Sequence, residues 1–318
     1  LGILVSDYMI SRIGDSEELV SEYTGIEIID LEGKAVIPGL VDSHTHLLWA
    51  GDRSREVGWK QKGMSYRDIA ENGGGIAATV LPTRKSSDSE LAHLGIERMR
   101  EALRNGTTHM EVKSGYGLDT DSELRLLSVA ENLAAVDNLP SLDLTWLGAH
   151  AAPPTKSIDD YYEEIISEQL PAIVEQGIAR SADVFCEPGW FSIEQTEEIL
   201  KDSKKGGLDL RLHIDEFEDG GGGDLAADLG VVTADHAHYT NDEARVRMNE
   251  AGVNCGFLPG TPYSMGSEYP PFNDCIENEW LWSIATDFNP NCRTLSLPFI
   301  ASVLVQRNEI SPITTLAA

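Results

Sequence analysis

A strand-then-helix rhythm that repeats without a linker from residue 35 onward constrains this chain more than any other feature. Short apolar runs suited to buried strands end near His46, Ser114, His150, Glu187, His213, His236, Pro259 and Asp287. Between several of them lie helix start signals. Ser87-x-x-Glu90, Thr120-x-x-Glu123, Ser192-x-x-Gln195 and Thr240-x-x-Glu243 have the form of a capping box, in which a hydroxyl and an acid or amide satisfy each other's backbone N–H groups. Glycines then stand just before the next strand, at Asn105-Gly106, Gln176-Gly177, Lys205-Gly206-Gly207, Leu229-Gly230 and Ala251-Gly252. Eight such units over about 250 residues predict an α/β fold, a (β/α)8 TIM-type barrel. A doubly wound open sheet is the competitor, because periodicity says nothing about closure.

The first 34 residues stand outside that rhythm. Residues 1–5 and 26–30 read as strands around a polar loop, which suggests part of a small β domain over 1–34 and a barrel over 35–318. The chain has no initiator Met and stops inside a predicted helix at 311–318, so the barrel is expected to be truncated at its C-terminus.

Composition narrows the partners. Fifty-three acidic residues against 24 basic give a net charge of −29, a surface that repels nucleic acid and anionic membranes. Such acidity, with arginine outnumbering lysine, resembles proteins of salt-loving organisms, where counterions screen the repulsion; an ordinary acidic enzyme stays open. No run approaches the roughly 20 apolar residues of a membrane span, and the first residues lack the pattern of a secretory signal. Cys186, Cys255, Cys275 and Cys292 are scattered and read as reduced thiols of a cytoplasmic protein, not as a disulfide frame or thiolate metal site.

The chemistry sits at the strand ends. His44-Thr45-His46 closes an apolar run, and residues two apart on a strand project to one face. In Leu208-Asp209-Leu210-Arg211-Leu212-His213 the leucines alternate with polar residues. If the leucines pack under helices, His213 points inward at the top of the barrel, where such folds place catalytic groups. Asp235-His236 ends the next strand and Asp287 the last. His44, His46, His213 and Asp287 thus converge on one rim, and three neutral imidazoles with a carboxylate can bind one divalent cation while leaving a position for water. Glu216, just beyond the strand that carries His213, stands where a general base would. His93 and His109 read as structural, and His238 has no evident partner. The Gly220 to Gly223 run lacks the Lys-Ser/Thr ending of a phosphate cradle.

Pro38-Gly39-Leu40-Val41-Asp42-Ser43-His44-Thr45-His46 resembles the first-strand signature of the amidohydrolase superfamily. Glu111-Val112-Lys113-Ser114-Gly115-Tyr116-Gly117-Leu118 is similar to a more specific motif, that of the imidazolonepropionase family of ring-opening enzymes in histidine degradation. Gly51-Asp52-Arg53, Gly73-Gly74-Gly75-Ile76, Leu147-Gly148-Ala149-His150, His213-Ile214-Asp215-Glu216 and Ala285-Thr286-Asp287-Phe288-Asn289-Pro290 are similar to further family blocks, in order. The resemblance implies metal ligation by His44, His46, His213 and Asp287, with Asp287 also counted among the catalytic groups. It implies proton transfer by Glu216, polarisation of the substrate carbonyl by His236, and substrate binding by Arg53, Tyr66, Tyr116 and His150. Arg53 would pair with a propionate carboxylate, and a guanidinium suits that role because it meets a carboxylate in a two-pronged geometry.

The implied reaction is hydrolysis of the cyclic amide of 4-imidazolone-5-propanoate to N-formimidoyl-L-glutamate. Its cofactor is one divalent ion, zinc or iron, and its partner a small anionic substrate; the oligomeric state is open, a homodimer among the options. The absence of a lysine on the strand 183–187 favours one metal over two. Two departures from the family pattern stand out: Asn291 and Cys292 where glycine usually follows Asn-Pro, and an acidic, glycine-rich loop from Phe217 to Gly223. Another cyclic amidohydrolase or ring deaminase, or a catalytically inert metal-binding barrel fragment, are the alternatives.

Overall fold

The computed structural model describes residues 1–318 as two compact units, Leu1–Pro38 and Gly39–Ala318. In the first, β1 (Gly2–Ser6) and β2 (Met9–Gly14) pair antiparallel, with Ser6 opposite Met9. The two residues between them, Asp7 and Tyr8, both have positive φ (51° and 63°), the backbone whose twist matches a two-residue hairpin. A helix, Ser16–Glu22, follows, its first N–H groups capped by Asp15. The strand expected at 26–30 is not formed; that stretch has no regular structure, and Ile28 and Ile29 are exposed. The partner of β1 is instead the neighbouring segment, because a two-residue turn closes with far less loss of chain entropy than a loop of twenty residues.

The second unit is the predicted barrel. Its eight parallel strands are β3 (Leu40–Thr45), β4 (Thr107–Lys113), β5 (Ser141–Ala149), β6 (Ser181–Cys186), β7 (Asp209–Ile214), β8 (Thr233–His236), β9 (Asn254–Phe257) and β10 (Trp282–Ile284). Each pairs with the next in chain order. A doubly wound sheet would reverse direction at a switch point; here the first strand meets the last. The His46 N–H donates to the Phe288 carbonyl at 2.8 Å and the Asp287 N–H to the His44 carbonyl at 3.1 Å. Below them the buried Asp42 carboxylate accepts the backbone N–H and the hydroxyl of Thr286, at 3.0 and 2.7 Å. The closing seam and the His-x-His motif therefore occupy the same place.

Helices fill the connections, and two expected start signals are present as full capping boxes, Ser87 with Glu90 and Ser192 with Gln195. The other two are not. Asp119 and Asn241, one residue before Glu123's helix and one after Thr240, take the cap positions. Freed from capping, Thr240 donates to Asp215 at 2.5 Å, while the buried Glu123 accepts the N–H groups of Gly115, Gly117 and Leu118. Both side chains thus organise loops at the top of the barrel.

Period-two alternation decides what faces inward. Leu210 and Leu212 of β7 join the apolar layer under the helices, leaving Arg211 and His213 on the opposite face. The interior differs from the branched aliphatic layers usual in this fold. Asp42, Glu111, Lys113, Asp183 and Asp235 are all buried, on strands β3, β4, β6 and β8.

Candidate active site

The strand ends place the candidate ligands within reach of one another. Asp287 Oδ1 lies 3.6 Å from His44 Nε2 and 3.6 Å from His46 Nε2, and the ring centroids of His44 and His213 are 4.5 Å apart. Two overlapping groups, His44 with His46 and Asp287, and His44 with His213 and His236, each bring their ligand atoms within 4.8 Å. All are buried. Burial also favours the neutral form of three of these rings, pushing His44, His46 and His236 well below their ordinary pKa, and it raises Asp287.

Buried polar atoms without partners are costly, and two belong to this cluster: His44 Nε2 and His213 Nε2 have none, while His46 turns its Nε2 toward Asp287. Nitrogens at hand to share a cation, beside a carboxylate and with the opposite edges of two rings already engaged, fit a divalent ion of the borderline class. His44 Nδ1 meets Asp235 at 2.6 Å and His213 Nδ1 meets Asp183 at 3.0 Å. Asp287 is held in a left-handed backbone (φ 49°) and accepts from the Thr261 hydroxyl.

Glu216 stands two residues past β7, its side chain 12% exposed and its Oε2 3.6 Å from His236 Nε2. Burial first, then the charges of Asp287 and Glu187, raise its pKa well above the usual carboxylate range. Its backbone is tethered by Glu187, whose carboxylate accepts the N–H groups of Glu216 and Phe217. Burial pushes Glu187 up to about 8. The unusual 217–223 loop wraps around Asp215, which accepts from Gly220 N, Gly222 N and Gly223 N.

Arg53, Tyr66, Tyr116 and His150 line the same small cavity, about 40 Å³, as His46, His213, Glu216, His236 and Asp287. Arg53 is anchored by Glu56, with Nε to Oε1 at 2.9 Å and Nη2 to Oε2 at 2.7 Å. Glu56 also accepts the Gly75 N–H at 2.9 Å, which ties the glycine block to the arginine. Tyr66 stacks on Phe217, ring centroids 5.2 Å apart, and lies beneath the Arg53 guanidinium. His150 stacks on His46 at 4.9 Å, and burial pushes its pKa down to about 3. Asn291, the departure noted in the sequence, borders the cavity and its side-chain carbonyl accepts from Lys60.

Three histidines stand apart. His93 is exposed on the helix Asp88–Arg104, and His109 meets the Ser141 hydroxyl at a strand start. His238 stacks on Tyr239 in an outer vestibule of about 400 Å³. The sequence reading missed Glu56, Glu187, Asp183 and Asp235. For Glu56 a signal existed, since it sits one helical turn after Arg53.

Gly115 fixes one wall. Its φ is 94°, and a Cβ there would lie 2.8 Å from the Leu147 carbonyl oxygen and 2.9 Å from His150 Nδ1; its own carbonyl meets His150 Nδ1 at 2.9 Å. Gly115→Ala is expected to cost about 1–3 kcal/mol, from a left-handed backbone plus steric conflict. A lowered Tm together with a raised KM checks it, because His150 must move.

Comparisons with known proteins agree with this geometry. Residues 27–79 match the amidohydrolase family. The imidazolonepropionase of Haloarcula marismortui is 38% identical over 99% of this chain and 76% of its own length. That of Desulfotalea psychrophila is 41% identical over 98% and 76%. Among solved structures, the 5-methylcytosine deaminase of Klebsiella pneumoniae superposes with a TM-score of 0.70 over 97% of this chain and 78% of that one, at 15% identity, a likeness of fold alone. With about two residues in five shared along nearly its whole length, the chain belongs to the imidazolonepropionase family of amidohydrolases.

Proposed function

We propose that this enzyme opens the ring of 4-imidazolone-5-propanoate by adding water across its cyclic amide, giving N-formimidoyl-L-glutamate in histidine degradation. The observation that carries the reading is the arrangement in one cavity of a His/Asp cluster, an adjacent acid and an anchored guanidinium. His44, His46, His213 and Asp287 would hold one divalent cation, zinc or iron; both suit this donor set. Such an ion, when bound, polarises a carbonyl and lowers the pKa of water to about 7.

The chain's own residues supply the rest. Glu216 takes the proton of the attacking water, and its raised proton affinity lets it hold that proton until the ring nitrogen leaves. The C–N bond breaks as the nitrogen receives the proton. His236, 3.6 Å from Glu216 and kept neutral by burial, faces the carbonyl oxygen and stabilises the charge that develops there. Arg53, preset by Glu56, receives the propionate carboxylate, with Tyr66, Tyr116 and His150 shaping the walls. A local cation matters in a protein of charge −29, because the substrate is itself an anion.

The same reading makes the enzyme cytoplasmic, in keeping with four free, buried cysteines. No helix is long and apolar enough to cross a membrane. The decisive assay is consumption of imidazolonepropionate with and without a chelator; no consumption by the metal-loaded protein rejects the proposal. Arg53→Lys keeps the charge beside Glu56 but loses the two-pronged contact, so KM should rise about 10- to 100-fold with kcat little changed. An unchanged KM would remove Arg53 from substrate binding.

A further inference from the structure

A fully buried ammonium beside the His/Asp cluster has no part in the mechanism above. Lys113 ends β4 with no exposed surface. Its ammonium stands 2.8 Å from Asp183 Oδ2, 3.0 Å from Glu111 Oε1 and 3.7 Å from Asp235 Oδ2. Two of these acids have a second partner. Asp183 Oδ1 meets His213 Nδ1 and Asp235 Oδ2 meets His44 Nδ1. Asp183 thus faces the lysine with one oxygen and a cluster imidazole with the other, while Asp235 turns the same oxygen to both. The result is a continuous chain, His213–Asp183–Lys113–Asp235–His44, drawn from five of the eight strands.

An imidazole whose Nδ1 engages a carboxylate carries its proton there and presents Nε2 as a lone pair. The nitrogens left without partners are His213 Nε2 and His44 Nε2, the edges such bonding turns toward the cluster. Asp235 is further fixed by the Thr233 hydroxyl, 2.5 Å from its other oxygen. A lysine that merely neutralised one acid would need one neighbour; this one sits among three. Buried ion clusters contribute little net stability compared with apolar filling, so the arrangement is better explained by what it holds in place.

We propose that Lys113 is a positioning residue for the cation site: by tying Asp183 and Asp235 to one ammonium it fixes the ring orientation and the free nitrogen of both His213 and His44. This rests on reading the cluster as a cation site, and the experiment separates the two. Full-length Lys113→Met and Lys113→Gln would be loaded with Zn²⁺. The dissociation constant would be measured by competition with a chromophoric chelator, and the far-downfield Nδ1–H proton resonances of the loaded protein recorded.

Loss of an outer partner of a metal-ligating histidine typically weakens metal binding about 10- to 100-fold, and that loss is expected here. The two downfield resonances should shift or vanish while far-ultraviolet circular dichroism stays unchanged. Lys113→Gln, which retains a hydrogen-bond donor, carries the test if the methionine variant does not fold. A folded variant that binds Zn²⁺ within about twofold of the wild type, with both resonances in place, overturns the proposal, since the typical effect is at least fivefold larger. A wild-type chain that binds no Zn²⁺ overturns the cation site itself and this proposal with it.

Discussion

Glu216→Gln is expected to lower kcat by about 10² to 10⁴, the usual worth of a positioned acid-base group, while the protein keeps its fold and its metal. Glutamine preserves the shape beside His236 and the tether from Glu187, which grips the backbone of residue 216 and not its side chain. Only proton transfer is removed. The pH profile gives a second readout. Glu216 must be ionised to accept a proton, and its pKa is raised by burial, so kcat/KM should climb with pH along a limb lying above the ordinary glutamate value of about 4.3. The glutamine variant should lose that limb. Wild-type-like turnover in it, or a limb at the unperturbed value, assigns the proton transfer to another group.

Removal of the cation should have the other large effect. Chelation is expected to abolish turnover and also to lower Tm, since an ion bound to the native state alone stabilises by about 2.7 kcal/mol at a hundred times its dissociation constant. The structural reason is specific. Without the ion, His44 Nε2 and His213 Nε2 are buried with nothing to accept from or donate to, and the Asp287 carboxylate faces rings made neutral by burial. Differential scanning calorimetry of chelated and Zn²⁺- or Fe²⁺-loaded protein, with activity followed in parallel, checks both parts. Equal Tm and equal turnover in the two forms would leave the cluster without a cation.

Much of this site was legible because barrel strands deliver their chemistry where they end. His44, His46, His213, His236 and Asp287 each close an apolar run, and position on a strand maps directly to one rim of the barrel. What could not be read was the layer beneath. Alternation predicts that Lys113, Asp183 and Asp235 face inward, but not that an ammonium on β4 reaches acids on β6 and β8 across the interior. Such meetings depend on strand tilt and register, which no local pattern encodes. The two lost capping boxes have a related cause: at Thr120 and Thr240 a neighbouring Asp119 or Asn241 reaches the helix N–H groups instead. The missing strand at 26–30 shows that apolar residues in series are insufficient when a nearer partner closes a hairpin first.

The seam where β3 meets the end of the barrel has a consequence for how the protein is made. Asp42 and Thr286, bonded across it, are 244 positions apart, and the acid at Asp287 joins two imidazoles encoded near the beginning. A polypeptide still emerging from the ribosome carries the histidine pair long before it carries the acid. Contacts that distant form late, because so much chain must be ordered first. The carboxylate therefore meets the histidine pair only once the ring of strands is complete.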